Sequence, residues 1–196
     1  MKKNVSYNIV VLGNSAVGKT TIIKTWINQK KFKNPLPTIG VDIHLNKIYY
    51  RQKKIFTFIW DMSGHQRFIN ITRSHLNNKD GIIIMFDKGD RTTFLDLDFW
   101  LKIVKSQENY SPIICLVGIN WENNSQVTKE EAINYAELNC LSYQEIKGHN
   151  IKDIDKFFKR IIDSNWNKIT SKKEKKSEKK NCFKKLWSKI QRYRCW

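Results

Sequence analysis

Gly13-Asn14-Ser15-Ala16-Val17-Gly18-Lys19-Thr20 sets two glycines, a lysine and a hydroxyl at the spacing G-x-x-x-x-G-K-[ST], between an apolar run and a helix-like pattern. That spacing in that context is a device for holding phosphate. Successive backbone N–H groups ahead of a helix N-terminus make an anion cradle, so no side chain has to specify the phosphate. Lys19 would neutralise the β and γ phosphates, Thr20 would place its hydroxyl on Mg2+, and Thr21 completes the phosphate-side set. Two further pieces fall where the far end of a nucleotide would lie. Thr38, in Pro37-Thr38-Ile39-Gly40, can bring a second hydroxyl to the metal. Asp61 ends an apolar run, and Gly64 follows three residues later. A carboxylate there can hold a metal-bound water, and a glycine N–H can approach a γ-phosphate. Thr20, Thr38 and Asp61 are therefore the candidate metal set.

Strands and helices in alternation must position these residues. VSYNIVVL (5–12) predicts a strand ended by Gly13, and residues 18–29 predict a helix with Ile22, Ile23, Trp26 and Ile27 on one face. Residues 41–50 and 53–61 predict a hairpin joined at Arg51-Gln52. GIIIMFD (81–87) is apolar nearly throughout, as expected of a strand covered on both faces. A helix over 92–106, the strand PIICLVG, a helix KEEAINYAELN, a short strand LSYQEI and a last helix over 151–166 follow. This alternation predicts an α/β fold, a mostly parallel sheet with helices on both faces.

The chain of 196 residues is long enough for one such domain, at 1–167, plus an extension at 168–196. No apolar stretch reaches the roughly 18 residues that span a bilayer, and the N-terminal pattern runs straight into a strand rather than a signal peptide. Four cysteines without C-x-x-C spacing or a paired histidine fit a reduced, intracellular compartment. The net charge is +18, and residues 168–196 supply ten of it through twelve Lys/Arg and two Glu. NKITSKKEKKSEKKN has too little apolar content to bury a core and predicts disorder. Phe183, Leu186, Trp187 and Ile190 then make an apolar stripe among basic residues, a pattern suited to an anionic membrane surface. Charge gathered in a tail favours a tether over a nucleic-acid-binding fold, and no nucleic acid is expected as partner.

GNSAVGKT, PTIGVD, WDMSGHQRF and KDGIIIMFD resemble the phosphate loop, switch I, switch II and following strand of the small GTPases of the Ras superfamily, over roughly residues 6–165. TIGVD, the aromatic strand ending in Trp60-Asp61 and the basic tail are most similar to the Rab branch. The resemblance implies a P-loop small G-protein fold of six strands and about five helices, GTP/GDP and Mg2+ as ligands, and a monomer. It also implies effector, exchange-factor and activator proteins as partners, with Ile39, Gly40, Val41, Asp42, Trp60 and Phe68 as the effector surface. A Rab-like protein would be cytoplasmic, peripheral on the cytosolic face of an intracellular membrane, and would act in vesicle trafficking. Catalysis would rest on Lys19, Thr38, Gly64 and His65, which stands where the family has its water-orienting glutamine. An imidazole has one donor and one acceptor but a different shape and shorter reach, so hydrolysis is expected to be weak.

The guanine end departs further. The family's N-K-x-D falls on Ile119-Asn120-Trp121-Glu122, and its S-A-K on Lys147-Gly148-His149. Glu122 keeps the carboxylate one methylene further out, Gly148 can offer a backbone N–H to the base carbonyl, and Asn120 and Lys147 line the same end. Phe32 is the only aromatic near the place of the ring that flanks the base. In the tail, Cys195 precedes only Trp196, which is neither a C-a-a-X box nor a double-cysteine end. Cys195 is still the candidate for one lipid chain, which with the basic patch would make two anchoring signals. The competing reading is a pseudo-GTPase scaffold that holds nucleotide weakly or without base selectivity.

Overall fold

The computed structural model of the chain describes residues 5–33, 35–107, 112–122 and 124–164. A six-stranded sheet runs through it in the order β2-β3-β1-β4-β5-β6. Its strands are β1 (Val5–Leu12), β2 (Val41–Tyr50), β3 (Lys53–Met62), β4 (Gly81–Asp87), β5 (Ile113–Asn120) and β6 (Ser142–Lys147). Among the described strands only the β2–β3 pair is antiparallel. Arg51 and Gln52 join that pair with φ of 46° and 60°, the left-handed geometry at both positions that a two-residue hairpin turn needs to match strand twist.

Apolar side chains on the two faces of the sheet make two cores. On one face α1 (Lys19–Asn28) and α6, the helix over 151–164, bury Ile22, Ile23, Trp26, Ile154, Phe157 and Phe158 against β1, β3 and β5. Trp26 and Phe158 stack at 4.1 Å between ring centroids and pin the two helices together. On the other face lie α2 (Ile69–Leu76), α3 (Arg91–Leu95), α4 (Leu97–Lys105) and α5 (Lys129–Leu138). Cys115 sits inside the first core, and burial pushes its thiol up to about 11, the behaviour of a packing residue.

The structure departs from the sequence expectations in four places. The helix predicted over 92–106 is two segments that meet at Asp96. The strand predicted to stop at Gly118 continues through Ile119 and Asn120, because β6 keeps pairing with it there. The sixth strand is displaced by one residue, to 142–147. Helix α2 was not expected, since only Thr72 and Leu76 of its eight residues are buried and its periodicity is faint. The phosphate loop, the second switch segment and the base-end segments leave the carboxyl ends of β1, β3, β5 and β6, and the first switch segment enters the amino end of antiparallel β2 beside them, where the crevice of an open α/β sheet forms. The expected tail at 168–196, with Cys195, lies outside the described residues.

Candidate functional site

The phosphate loop turns from β1 into α1 with Ala16 at φ 66° and Gly18 at φ 97°. Lys19, the first residue of α1, folds back over the loop and donates to the carbonyls of Gly13 at 2.9 Å and Asn14 at 2.7 Å. Its ammonium is buried, and the cost of desolvation lowers its pKa to about 8 despite the opposing charge of Asp61. The loop is braced from outside. Asn14 Nδ2 donates to Asp96 Oδ2 at 2.6 Å, and Trp100 Nε1 donates to Asn14 Oδ1 at 2.7 Å.

The three candidate metal residues converge. Thr20 Oγ1 donates to Asp61 Oδ2 at 2.6 Å and lies 3.1 Å from Thr38 Oγ1, which is itself 3.4 Å from the same carboxylate oxygen. Asp61 is fully buried, and its Oδ1 has no hydrogen-bond partner among the described residues. A buried carboxylate oxygen with nothing to accept from is costly, and two hydroxyls with a carboxylate are hard-oxygen ligands. The donor set fits Mg2+. His44, two residues along β2 from Asp42, the register partner of Asp61, brings Nε2 to 3.9 Å from Asp61 Oδ2, a proximity the sequence did not signal.

Switch segments close over this point. The Gly40 carbonyl accepts from Ser63 N–H at 2.9 Å, tying the start of β2 to the segment after β3. Gly64 lies so close to the Asn14–Ser15 backbone that a Cβ would strike it. His65, next in the chain, is exposed, with its backbone N–H 3.3 Å from Ser63 Oγ. Of the effector candidates, Ile39 is 76% exposed and Asp42 is exposed, Val41, Trp60 and Phe68 are half-buried, and Gly40 is buried. Ile43, opposite Trp60 in the hairpin register, is exposed beside them.

A cleft of about 790 Å³ runs from Lys19 and Thr20 past Thr21 and Phe32 to Trp121, Glu122 and Gly148. Phe32 lies under the Lys24 ammonium, 4.8 Å from the ring centroid. At the far end the sequence expectation meets a different arrangement. The Gly148 N–H, expected to serve a base carbonyl, donates to Asn120 O at 3.0 Å, because β5 and β6 stay paired to their ends. The Asn120 side chain donates to Ser125 Oγ at 3.3 Å, and Lys147 is exposed. Ile119 is wholly buried opposite Ile146, so two apolar side chains face each other there. Trp121, at the unspecified position of the N-K-x-D pattern, packs its indole against both Gly18 and Gly148. Nothing in the sequence marks it, since its neighbours come from distant segments. Glu122 is exposed, and with Asp87 and Asp90 it puts three carboxylates on the cleft wall. Burial first, then the charges of Asp90 and Glu122, raise the Asp87 pKa against the pull of the Gly89 N–H.

A sequence model of the Ras family matches residues 8–167. The chain is similar to the Ras-related protein RABC2b of Arabidopsis thaliana, 34% identical over 146 residues that cover 72% of this chain and 71% of that protein. It is 31% identical to the Ras-related protein RABC2a of the same plant, over 81% of this chain and 77% of that protein. With the Ras-related protein Rab-12 of Homo sapiens it shares 26% identity, over 79% of this chain and 65% of that protein.

Proposed function

The chain belongs to the Ras family as a Rab-like small GTPase, and from that premise we propose that it is a GTP/GDP switch in vesicle and membrane trafficking with slow intrinsic hydrolysis. What supports the reading most is one arrangement: the Thr20 and Thr38 hydroxyls meet Asp61 Oδ2, the other carboxylate oxygen, Oδ1, has no partner among the described residues, and Lys19 lies folded over the phosphate loop beside them. Mg2+ at that point would neutralise charge on the phosphates. The loop residues Gly13, Asn14, Ser15, Ala16, Val17 and Gly18 would cradle the phosphates with backbone N–H groups while Lys19 supplies a cation. Thr38 and Gly64, which reach the cradle from the two switch segments, would report the γ-phosphate to the surface formed by Ile39, Gly40, Val41, Asp42, Trp60 and Phe68. Effectors would dock there, and exchange and activator proteins would reach the same switches.

Slow hydrolysis follows from His65. Phosphoryl transfer depends mostly on positioning, and an exposed imidazole in place of a longer amide orients water less well. Membrane attachment would come through residues 168–196 and Cys195. Among the described residues no helix is long and apolar enough to cross a membrane. The engaged Gly148 N–H and the buried Ile119 favour a second reading, a scaffold with weak nucleotide binding.

The two readings separate in one experiment. Purified full-length protein is titrated with Mg2+ and GTP, then followed through a single turnover. Micromolar or tighter binding that needs Mg2+, followed by slow phosphate release, is the expected outcome. Protein that binds neither GTP nor inorganic tripolyphosphate overturns the switch.

A further inference from the structure

We propose that Trp121 determines which nucleotides this cleft accepts, holding the base by aromatic contact where hydrogen bonding would otherwise read it. The ligands would be purine nucleoside di- and triphosphates, with guanine favoured only as far as Glu122 can favour it. The proposal rests on the nucleotide-binding reading above and deepens it.

Three elements fix the indole in one place. Its ring lies against Gly18, at the end of the phosphate loop, and against Gly148, just beyond β6. A Cβ at either position would run into ring atoms, so only the glycines present admit the tryptophan. Nε1 donates to the Val17 carbonyl at 3.3 Å, and His149 meets the ring edge-on at 5.2 Å between centroids. The side chain is only partly buried and lines both the nucleotide cleft and an adjoining cavity of about 460 Å³. A ring so held is a rigid surface on the cleft wall, between the end of the phosphate loop and the turn after β6.

Around it, groups that could read a base edge are engaged within the protein or replaced by an apolar side chain. The Gly148 N–H is given to Asn120 O, the Asn120 amide to Ser125 Oγ, and position 119 is a buried isoleucine. Glu122 remains exposed with its carboxylate at the rim. Every base has a π-face, so stacking tolerates different bases, whereas a site that must satisfy its own buried polar groups rejects the wrong one steeply. A cleft built on the indole therefore grips by phosphate and by aromatic area, and discriminates guanine from adenine weakly.

The test measures affinities of the full chain for GTP, ATP and inorganic tripolyphosphate, each with Mg2+, in the wild type, Trp121→Ala and Trp121→Phe. Wild-type GTP and ATP affinities within about tenfold of each other are expected, because the Gly148 N–H is already engaged and position 119 carries no hydrogen-bonding group. Trp121→Ala should weaken GTP and ATP by similar factors, about tenfold each, leave tripolyphosphate unmoved, and be largely rescued by Trp121→Phe. Nucleotide, but not tripolyphosphate, should change tryptophan emission by an amount that Trp121→Phe removes. GTP preference of a thousandfold or more overturns the proposal. So does Trp121→Ala that binds purine nucleotides as well as or better than the wild type, since the indole would then merely obstruct. Parallel loss of tripolyphosphate assigns Trp121 a structural role and overturns it too. Wild type that binds no tripolyphosphate at all removes the nucleotide reading itself, a distinct failure.

Discussion

Lys19 is where burial and charge oppose each other most directly. Desolvation wins, and the pKa falls from 10.5 to about 8 in the ligand-free protein. The unfolded chain would bind that proton up to 10.5, so the ligand-free protein gains stability as pH rises from about 8 toward 10.5. Phosphates beside the ammonium favour its charged form and raise the value again, so binding takes up a proton above pH 8. Nucleotide affinity should be level below about pH 8 and fall by up to about tenfold per unit above it. Calorimetry in buffers of different ionisation enthalpy checks this, and an affinity that stays level to about pH 10 contradicts it. At His65 the expected outcome is faster chemistry: His65→Gln should raise single-turnover GTP hydrolysis by about ten- to a hundredfold. A variant no faster than the wild type would show that the histidine does not limit the rate. The phosphate side was legible in the sequence because the cradle is made of backbone at fixed spacing, and spacing is what a sequence displays. Trp121 was not legible, because its contacts depend on Gly18 and Gly148 in segments far apart in the chain.

Helices α3 and α4 show how an element can serve the loop it does not touch in sequence. The break at Asp96 frees that side chain to take the Asn14 amide, while Trp100, one turn on, gives its indole N–H to the same side chain. Asn14→Ala leaves the Trp100 donor without its acceptor and should cost about 1–3 kcal/mol in denaturant unfolding, with nucleotide affinity falling alongside. An unchanged unfolding midpoint would mean that the clamp is redundant. Strand positions were readable from apolar runs, and α1 and α6 from helical spacing. The break at Asp96 and the extension of β5 to Asn120 were not, since both are set by pairing across the fold. Helix α2, with two buried residues, carries too little periodic signal to stand out against the loop around it.

At the scale of the whole molecule, charge is the dominant quantity. The chain is +18, with ten charges on its last 29 residues and eight on the rest. Each basic residue near an anionic surface contributes roughly 1 kcal/mol, and that attraction is screened by salt. Full-length protein should sediment with vesicles containing phosphatidylserine in dilute buffer and be released as ionic strength approaches about 1 M. Retention at high salt would point instead to a hydrophobic or lipid anchor such as one on Cys195. This division of charge along the chain is legible from the sequence alone, because it needs only the order of the residues.

The facing pair Ile119 and Ile146 also constrains what this protein can become. An amide introduced at 119 alone would sit in a dry apolar pocket beside Ile146, while the nearby Val17 carbonyl already accepts from Trp121. Stranding one polar group there costs about 1–3 kcal/mol, and a hydroxyl at 146 alone would be stranded in the same way. An asparagine at 119 alone is therefore expected to lower stability rather than to supply a base-reading group.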